Sequence, residues 1–130
     1  MTKPYGKLKK DLDAVFSRFI RARDKGVCFT CGLTKEWKYQ QAGHCFTRSR
    51  MNTRWNEKQV RCQCYGCNIC RGGNGAEFAC RLDKKYGKGT AEKIRKESLI
   101  DKRFTTAELE KLIIKYQAKL EKELDKQSKE

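Results

Sequence analysis

Cys28-Phe29-Thr30-Cys31-Gly32 and, some thirty residues on, Cys64-Tyr65-Gly66-Cys67-Asn68 are the stretches that decide the fold. Each is a Cys-x-x-Cys knuckle. Two such knuckles at this separation offer four thiolates to one zinc ion, in a closed tetrahedral site. Zinc would then supply folding energy to a Gly-rich segment with little apolar core of its own. Between the knuckles stands the chain's only histidine, in Gln41-Ala42-Gly43-His44. An imidazole is the natural general base near neutral pH. A lone histidine is more often structural or merely exposed. The reading as a base rests on its place between the zinc pairs and on Gly43, which lets backbone or substrate come close.

The second knuckle is crowded. Cys62, Cys64, Cys67 and Cys70 fall within nine residues. Cys64-x-x-Cys67-x-x-Cys70 also begins an iron–sulfur run, but the fourth ligand would fall at position 74, which is Asn. Iron–sulfur ligation therefore stays the minor alternative to zinc. Cys45, Cys62, Cys70 and Cys80 are left over, and the expectation for them is burial as small hydrophobes.

Composition bounds the partner. The chain has 130 residues, with 31 Lys and Arg against 16 Asp and Glu, for a net charge of +15. A polyanion such as nucleic acid is the expected partner, the alternative being a merely solvated basic surface. Residues 26–75 hold 8 basic and only 2 acidic side chains, as suits a surface that approaches phosphates. Residues 76–130 mix 15 basic with 11 acidic, the pattern of exposed helices. No stretch is long and apolar enough for a membrane span. The start, Met1-Thr2-Lys3-Pro4-Tyr5, has no apolar leader region, so a cytoplasmic location is expected. Eight cysteines in such a chain point to metal rather than disulfides.

Periodicity places the elements. Leu8, Leu12, Val15, Phe16, Phe19 and Ile20 make one face of a helix over 7–23, ended by Asp24-Lys25-Gly26. Residues 36–47 read as a β-hairpin or two short strands. Residues 48–58 read as a polar basic loop, and 59–63 as a strand. A helix runs to about Tyr86, closed by Gly87. Another covers 90–99. Thr105 and Glu108 form a capping box for a last helix, with Phe104 and Leu109 as a hydrophobic staple. Its stripe of Leu109, Leu112, Ile113, Tyr116 and Leu120 reads as core.

Hard cations take oxygen ligands. Asn68, directly after the last knuckle thiolate, is the favoured candidate for a catalytic Mg²⁺ or Mn²⁺. Asn74 is an even choice between ligand and helix N-cap. Asn56 or Gln59 could accept from the His44 ring N–H and fix its tautomer. Arg48, Arg50, Arg54 and Arg61 are the candidate phosphate contacts. Together these residues have the layout of an H-N-H nuclease with a ββα-metal core.

From about Val15 to Gly87 the chain resembles the phage NinG/Rap recombination proteins, and more weakly in its last helix. The pieces that carry the resemblance are Cys28-x-x-Cys31-Gly32, Trp37, Ala42-Gly43-His44, Arg48, Arg54-Trp55, Gln63-Cys64-x-x-Cys67-Asn68, Gly73-Asn74, and Leu82 with Lys85-Tyr86-Gly87. The architecture is also similar to phage endonuclease VII, whose zinc is held by two Cys pairs. The resemblance implies a Holliday-junction or branched-DNA endonuclease. Two departures stand out. The family tends to have Asp where Gln41 stands, and Asn-Val-His where Gln59-Val60-Arg61 stands. The first leaves the metal site short of negative charge.

The sequence therefore predicts an α+β fold: a small zinc-stapled ββα-metal (His-Me finger) core flanked by N- and C-terminal helices. One domain spans residues 1–130, with a basic helix over 1–25, the core over 26–87 and a helical extension over 88–130. The expected activity is divalent-metal-dependent hydrolysis of branched DNA. Two symmetric cuts in a junction suggest a homodimer, with the terminal helices as candidate interface. The alternative is a non-catalytic zinc-ribbon protein that binds nucleic acid.

Overall fold

Six apolar side chains on one helical face need a second surface to bury them, and the fold supplies it from the far end of the chain. In the computed structural model, which describes residues 3–130, α1 (Tyr5–Arg23) packs along α4 (Thr106–Ser128). Leu8, Leu12, Val15, Phe16, Phe19 and Ile20 of α1 meet Leu109 and Tyr116 of α4 in one cluster, with Trp55 and Val60. Tyr116 lies edge-on to Phe16, ring centroids 4.7 Å apart. The capping box at Thr105 and Glu108 is formed, and Phe104 packs edge-on to Trp55. The C-terminal helix is thus half of the main core rather than an appendage. The apolar stripes of the two terminal helices face each other within one chain, as the reading of the last helix's stripe as core requires.

Between these helices and the zinc knuckles lies a two-stranded antiparallel sheet, β1 (Gln41–His44) against β2 (Val60–Gln63). Gln41 pairs with Gln63 and His44 with Val60. The hairpin expected within 36–47 does not form. Trp37–Tyr39 is a 3-10 turn, and β1 takes its partner from beyond the loop. Bonds to distant parts of the chain take the hairpin's place. The Arg21 guanidinium donates to the carbonyls of Lys38 and Gln40, and the Gln40 amide donates to the carbonyls of Gly26 and Leu33. Arg21 thus satisfies the Lys38 and Gln40 carbonyls that a hairpin ladder would have used, and Gln40 is anchored to the first knuckle.

After β2 comes a π-helical turn at Gly66–Cys70, then α2 (Gly75–Tyr86) and α3 (Thr90–Ser98). Phe78 and Leu82 of α2 with Ala91 and Ile94 of α3 form a second small core, against Phe29 and Phe46. Gly87, at φ 113°, ends α2 as expected. The loop over 48–58 is less polar in place than in composition. Thr53 is buried, and so is Trp55, whose indole N–H donates to Asp13 at 3.0 Å. No helix among the described residues is long and apolar enough to cross a membrane.

Candidate functional site

The sulfurs of Cys28, Cys31, Cys64 and Cys67 all lie within 4.8 Å of one another. Zinc–sulfur bonds of about 2.3 Å set a tetrahedron edge of about 3.8 Å. The Cys31 and Cys64 sulfurs are 3.7 Å apart, so the cage already has the dimensions of a ZnS₄ centre. Gly32, at φ 82°, turns the first knuckle. The surroundings favour thiolate. The Thr30 hydroxyl lies 3.4 Å from the Cys28 sulfur, and the Cys67 amide donates to Cys64 at 3.4 Å. Arg71 and Asn74 donate to Cys67 at 3.6 and 3.7 Å. Burial pushes the Cys28 thiol up, but bonds from Thr30 and from the backbone of Cys64 and Cys31 outweigh it and hold it at about 6. At Cys31 the Leu33 amide favours thiolate. Burial and the other three sulfurs overcome that and drive it up to about 12. Several thiolates so close need a cation to coexist, and a metal ion such as zinc would supply it.

Cys70 is exposed and stands outside this cage, so the 64/67/70 iron–sulfur run does not assemble. The leftover thiols divide. Burial pushes Cys62 up to about 12 and Cys45 up to about 11, which makes both inert. Cys80, like Cys70, is exposed, contrary to the expectation of burial.

His44 ends β1. Its Nε2 donates to the Arg54 carbonyl at 2.9 Å, so this backbone oxygen sets the tautomer. Asn56 and Gln59, the sequence candidates for that task, are engaged elsewhere. Asn56 Oδ1 accepts from the Lys58 and Gln59 amides. Gln59 is fully buried, donates to the Thr53 carbonyl and accepts from the Phe46 amide. It ties the loop carrying Arg54 to the end of β1, and so acts on His44 through the backbone. Burial lowers the His44 pKa from 6.5, with the Arg48 and Arg54 cations adding to it. The Arg54 carbonyl and Asp13 offset part. The ring is neutral at neutral pH, and its Nδ1 lone pair is free among the described residues. A shallow pocket of about 150 Å³ opens there, between Asp13, Ser17, Ala42, His44, Arg48 and Val60.

Strand alternation puts Gln41 on the opposite face from His44. There the Asn68 amide donates to Gln41 Oε1 at 2.6 Å. Asn68 Oδ1 and Gln63 Oε1 both crowd Gly43. A Cβ at position 43 would fall 1.7 Å from the Gln63 oxygen and 3.1 Å from the Asn68 oxygen, so only glycine fits. Gln63 Oε1 is buried without a hydrogen-bond partner. The donors around Asn68 are thus neutral amide oxygens. Asn74 is not among them. It stands in the left-handed region at φ 52°, at the N-cap of α2, but makes no side-chain cap bond and turns its amide to Cys67. It belongs to the zinc centre.

The four arginines also divide. Arg48 and Arg50 are exposed. Arg54 is held in a bidentate pair with Asp13. Arg61 is buried. It pairs with Asp24 at 3.0 Å, donates to the Tyr86 hydroxyl at 2.7 Å and covers the Phe29 ring. As placed, Arg54 and Arg61 hold the fold together and do not face phosphates. Composition alone does not show this; the signal was the pairing potential of Asp13 and Asp24 across the chain.

Fold and site together define a small α+β protein with four clustered cysteines that could hold a metal ion such as zinc. A family model described as "Bacteriophage Lambda NinG protein" matches residues 1–127. The chain belongs to the NinG family. The protein ninG of Salmonella phage P22 is 26% identical over 127 residues, covering 97% of this chain and 62% of that protein. The protein ninG of Escherichia phage lambda is 28% identical over 120 residues, 91% of this chain and 58% of that one. That of Escherichia phage 933W is also 28% identical, covering 91% and 59%. The chain therefore spans about three fifths of the length of these relatives. No solved structure matches it.

Proposed function

We propose that this protein is a structure-specific DNA endonuclease of the zinc-stapled ββα-metal (His-Me finger) type, acting on Holliday junctions and other branched DNA. The observation that carries the reading is His44: a neutral imidazole, oriented through Nε2 by the Arg54 carbonyl, with Nδ1 free beside exposed Arg48. In that role Nδ1 takes a proton from the attacking water, and Arg48 and Arg50 hold backbone phosphate. Phosphodiester hydrolysis in this class of fold also calls for Mg²⁺ or Mn²⁺, and the sequence candidate for its ligand, Asn68, bonds Gln41 on the face of β1 opposite His44. The donors beside Asn68 are amides with no carboxylate, and that set does not fit a tight divalent site.

The absence of a carboxylate beside Asn68 favours a second reading, a zinc-stabilised protein that binds branched DNA without cutting it. One experiment separates the two. Purified protein is incubated with a labelled four-way junction over a range of Mg²⁺ and Mn²⁺. Nicks that vanish with EDTA, and that His44→Ala abolishes while still binding the junction, support the nuclease. Tight binding with no product under any divalent ion establishes the binder instead.

A further inference from the structure

Val60 and Arg61 follow one another on β2 and point to opposite faces. Val60 lies in the α1/α4 core and borders the His44 pocket. Arg61 floors a separate cleft of about 970 Å³, between the end of α1, the first zinc knuckle and the end of α2. None of the residues lining the His44 pocket lines this cleft.

The cleft is cationic beyond its internal needs. Its two acidic residues are already engaged. Asp24 is gripped by Arg23 and Arg61, and Glu57 by Lys119 and Tyr116. Arg81 is paired with Glu77. Lys58, Lys84 and Lys85 are exposed, and none makes an ion pair among the described residues. They are clustered by a fixed point. Arg61 pins the Tyr86 hydroxyl, and the Tyr86 ring carries Lys58 at 5.1 Å and Lys85 at 5.8 Å from its centroid. Like charges held together on a rigid base are stable only in solvent or against an anion.

We infer that this cleft is a second nucleic-acid site, in which Lys58, Lys84 and Lys85 hold the phosphate backbone of a DNA arm that does not pass His44. The inference rests on the reading of branched DNA as the partner. Three features favour backbone DNA over a small anion or an acidic peptide. The free cations are lysines, which act as point charges rather than as the bidentate forks that fix one carboxylate or phosphate. No Asn or Gln lines the cleft to read base edges. Exposed Arg48 lines the His44 pocket on the Val60 face of β2, and the cleft lies on the Arg61 face, so the two charged surfaces lie on opposite sides of the sheet, as arms leaving a branch point diverge.

The test is binding, without divalent ions, to a four-way junction and to a linear duplex of equal length. Lys58→Ala/Lys84→Ala/Lys85→Ala is compared with Lys111→Ala/Lys122→Ala/Lys126→Ala, which removes the same charge from exposed positions on α4. The cleft variant should lose about tenfold or more in junction affinity. Its log–log salt slope should be shallower by about 2–3, near 0.9 per lost phosphate contact. Its preference for junction over duplex should shrink, while the α4 variant keeps most of all three. Zinc content and far-UV circular dichroism check that both variants fold, and single Lys84→Glu should show the same trend. Equal losses in both triple variants, or a cleft variant that binds like the parent, overturn the inference. So does a parent that binds polyglutamate as tightly as DNA, which would assign the cleft to acidic peptides. Because the readout is binding, a protein that never cuts DNA can still support the cleft. A protein that cuts DNA can equally refute it.

Discussion

At the scale of the residue, His44 combines burial with one good hydrogen bond, and both favour the neutral ring. Its folded-state pKa lies below 6.5, so the unfolded chain binds the proton more tightly. His44 therefore contributes stability that is present above pH 6.5 and lost as the pH falls through the folded value. With His44 as the proposed base, the same shift would set the acid limb of cleavage. Activity should hold from neutral pH down to about 6.5 and decline only below it, and a limb centred above 7 would contradict the assignment of His44 as base. Gln41 supports a second test. Its Oε1 sits 2.6 Å from the Asn68 amide, on a face that lacks a carboxylate. Gln41→Asp puts an anion next to the candidate oxygen ligand, and should lower the Mn²⁺ concentration needed for half-maximal cleavage by about tenfold. Unchanged metal dependence in that variant would mean that the ion, if there is one, sits elsewhere.

At the scale of the element, the four-cysteine cage joins two segments that are also tied by the Phe29 amide to the Cys62 carbonyl at 2.8 Å and by Gln63 to the Thr30 hydroxyl at 3.0 Å. The first knuckle follows α1 and the second follows β2, and Cys28, Cys64 and Cys67 form a small buried cluster of their own. Cys64→Ser should release zinc, measured as about one equivalent per chain in the parent and far less in the variant. The circular dichroism signal of the α1/α4 pair should largely remain, because that core lies outside the cage. This part of the fold was legible from spacing alone, since a Cys-x-x-Cys pair is a local signal. So were the helix ends, where Thr105, Glu108 and Gly87 act within a turn. What the sequence hid was long-range pairing. Arg21 satisfying two carbonyls replaced a hairpin, and Asp13 and Asp24 drew Arg54 and Arg61 inward. Asn56 and Gln59 looked like partners for the histidine, but the bond came from a backbone carbonyl, which no residue type announces.

At the scale of the whole molecule, a net charge of +15 makes attraction to DNA general, so the informative quantity is which charges matter. Salt should weaken binding steeply, with a slope set by the number of phosphates neutralised. Arg48, beside the histidine, and Arg50 are exposed, and Arg48 reaches Asp13 only at 3.9 Å, whereas Arg54 and Arg61 are held closely by carboxylates. Arg48→Ala/Arg50→Ala should therefore weaken junction binding several-fold and flatten the salt slope by about 2, leaving thermal stability nearly unchanged. Arg61→Ala should do the reverse. It removes one of two cations from Asp24, whose side chain is 7% exposed and keeps Arg23 and the Cys62 amide, and it frees the Tyr86 hydroxyl. Stability should therefore fall, by less than the roughly 3–5 kcal/mol of a fully broken buried pair. The salt slope of whatever Arg61→Ala protein stays folded should match the parent. If instead Arg61→Ala flattened the slope at full stability, phosphate would be drawing this arginine out of its pair with Asp24. The division of the four arginines into two that bind and two that brace would then have to be redrawn.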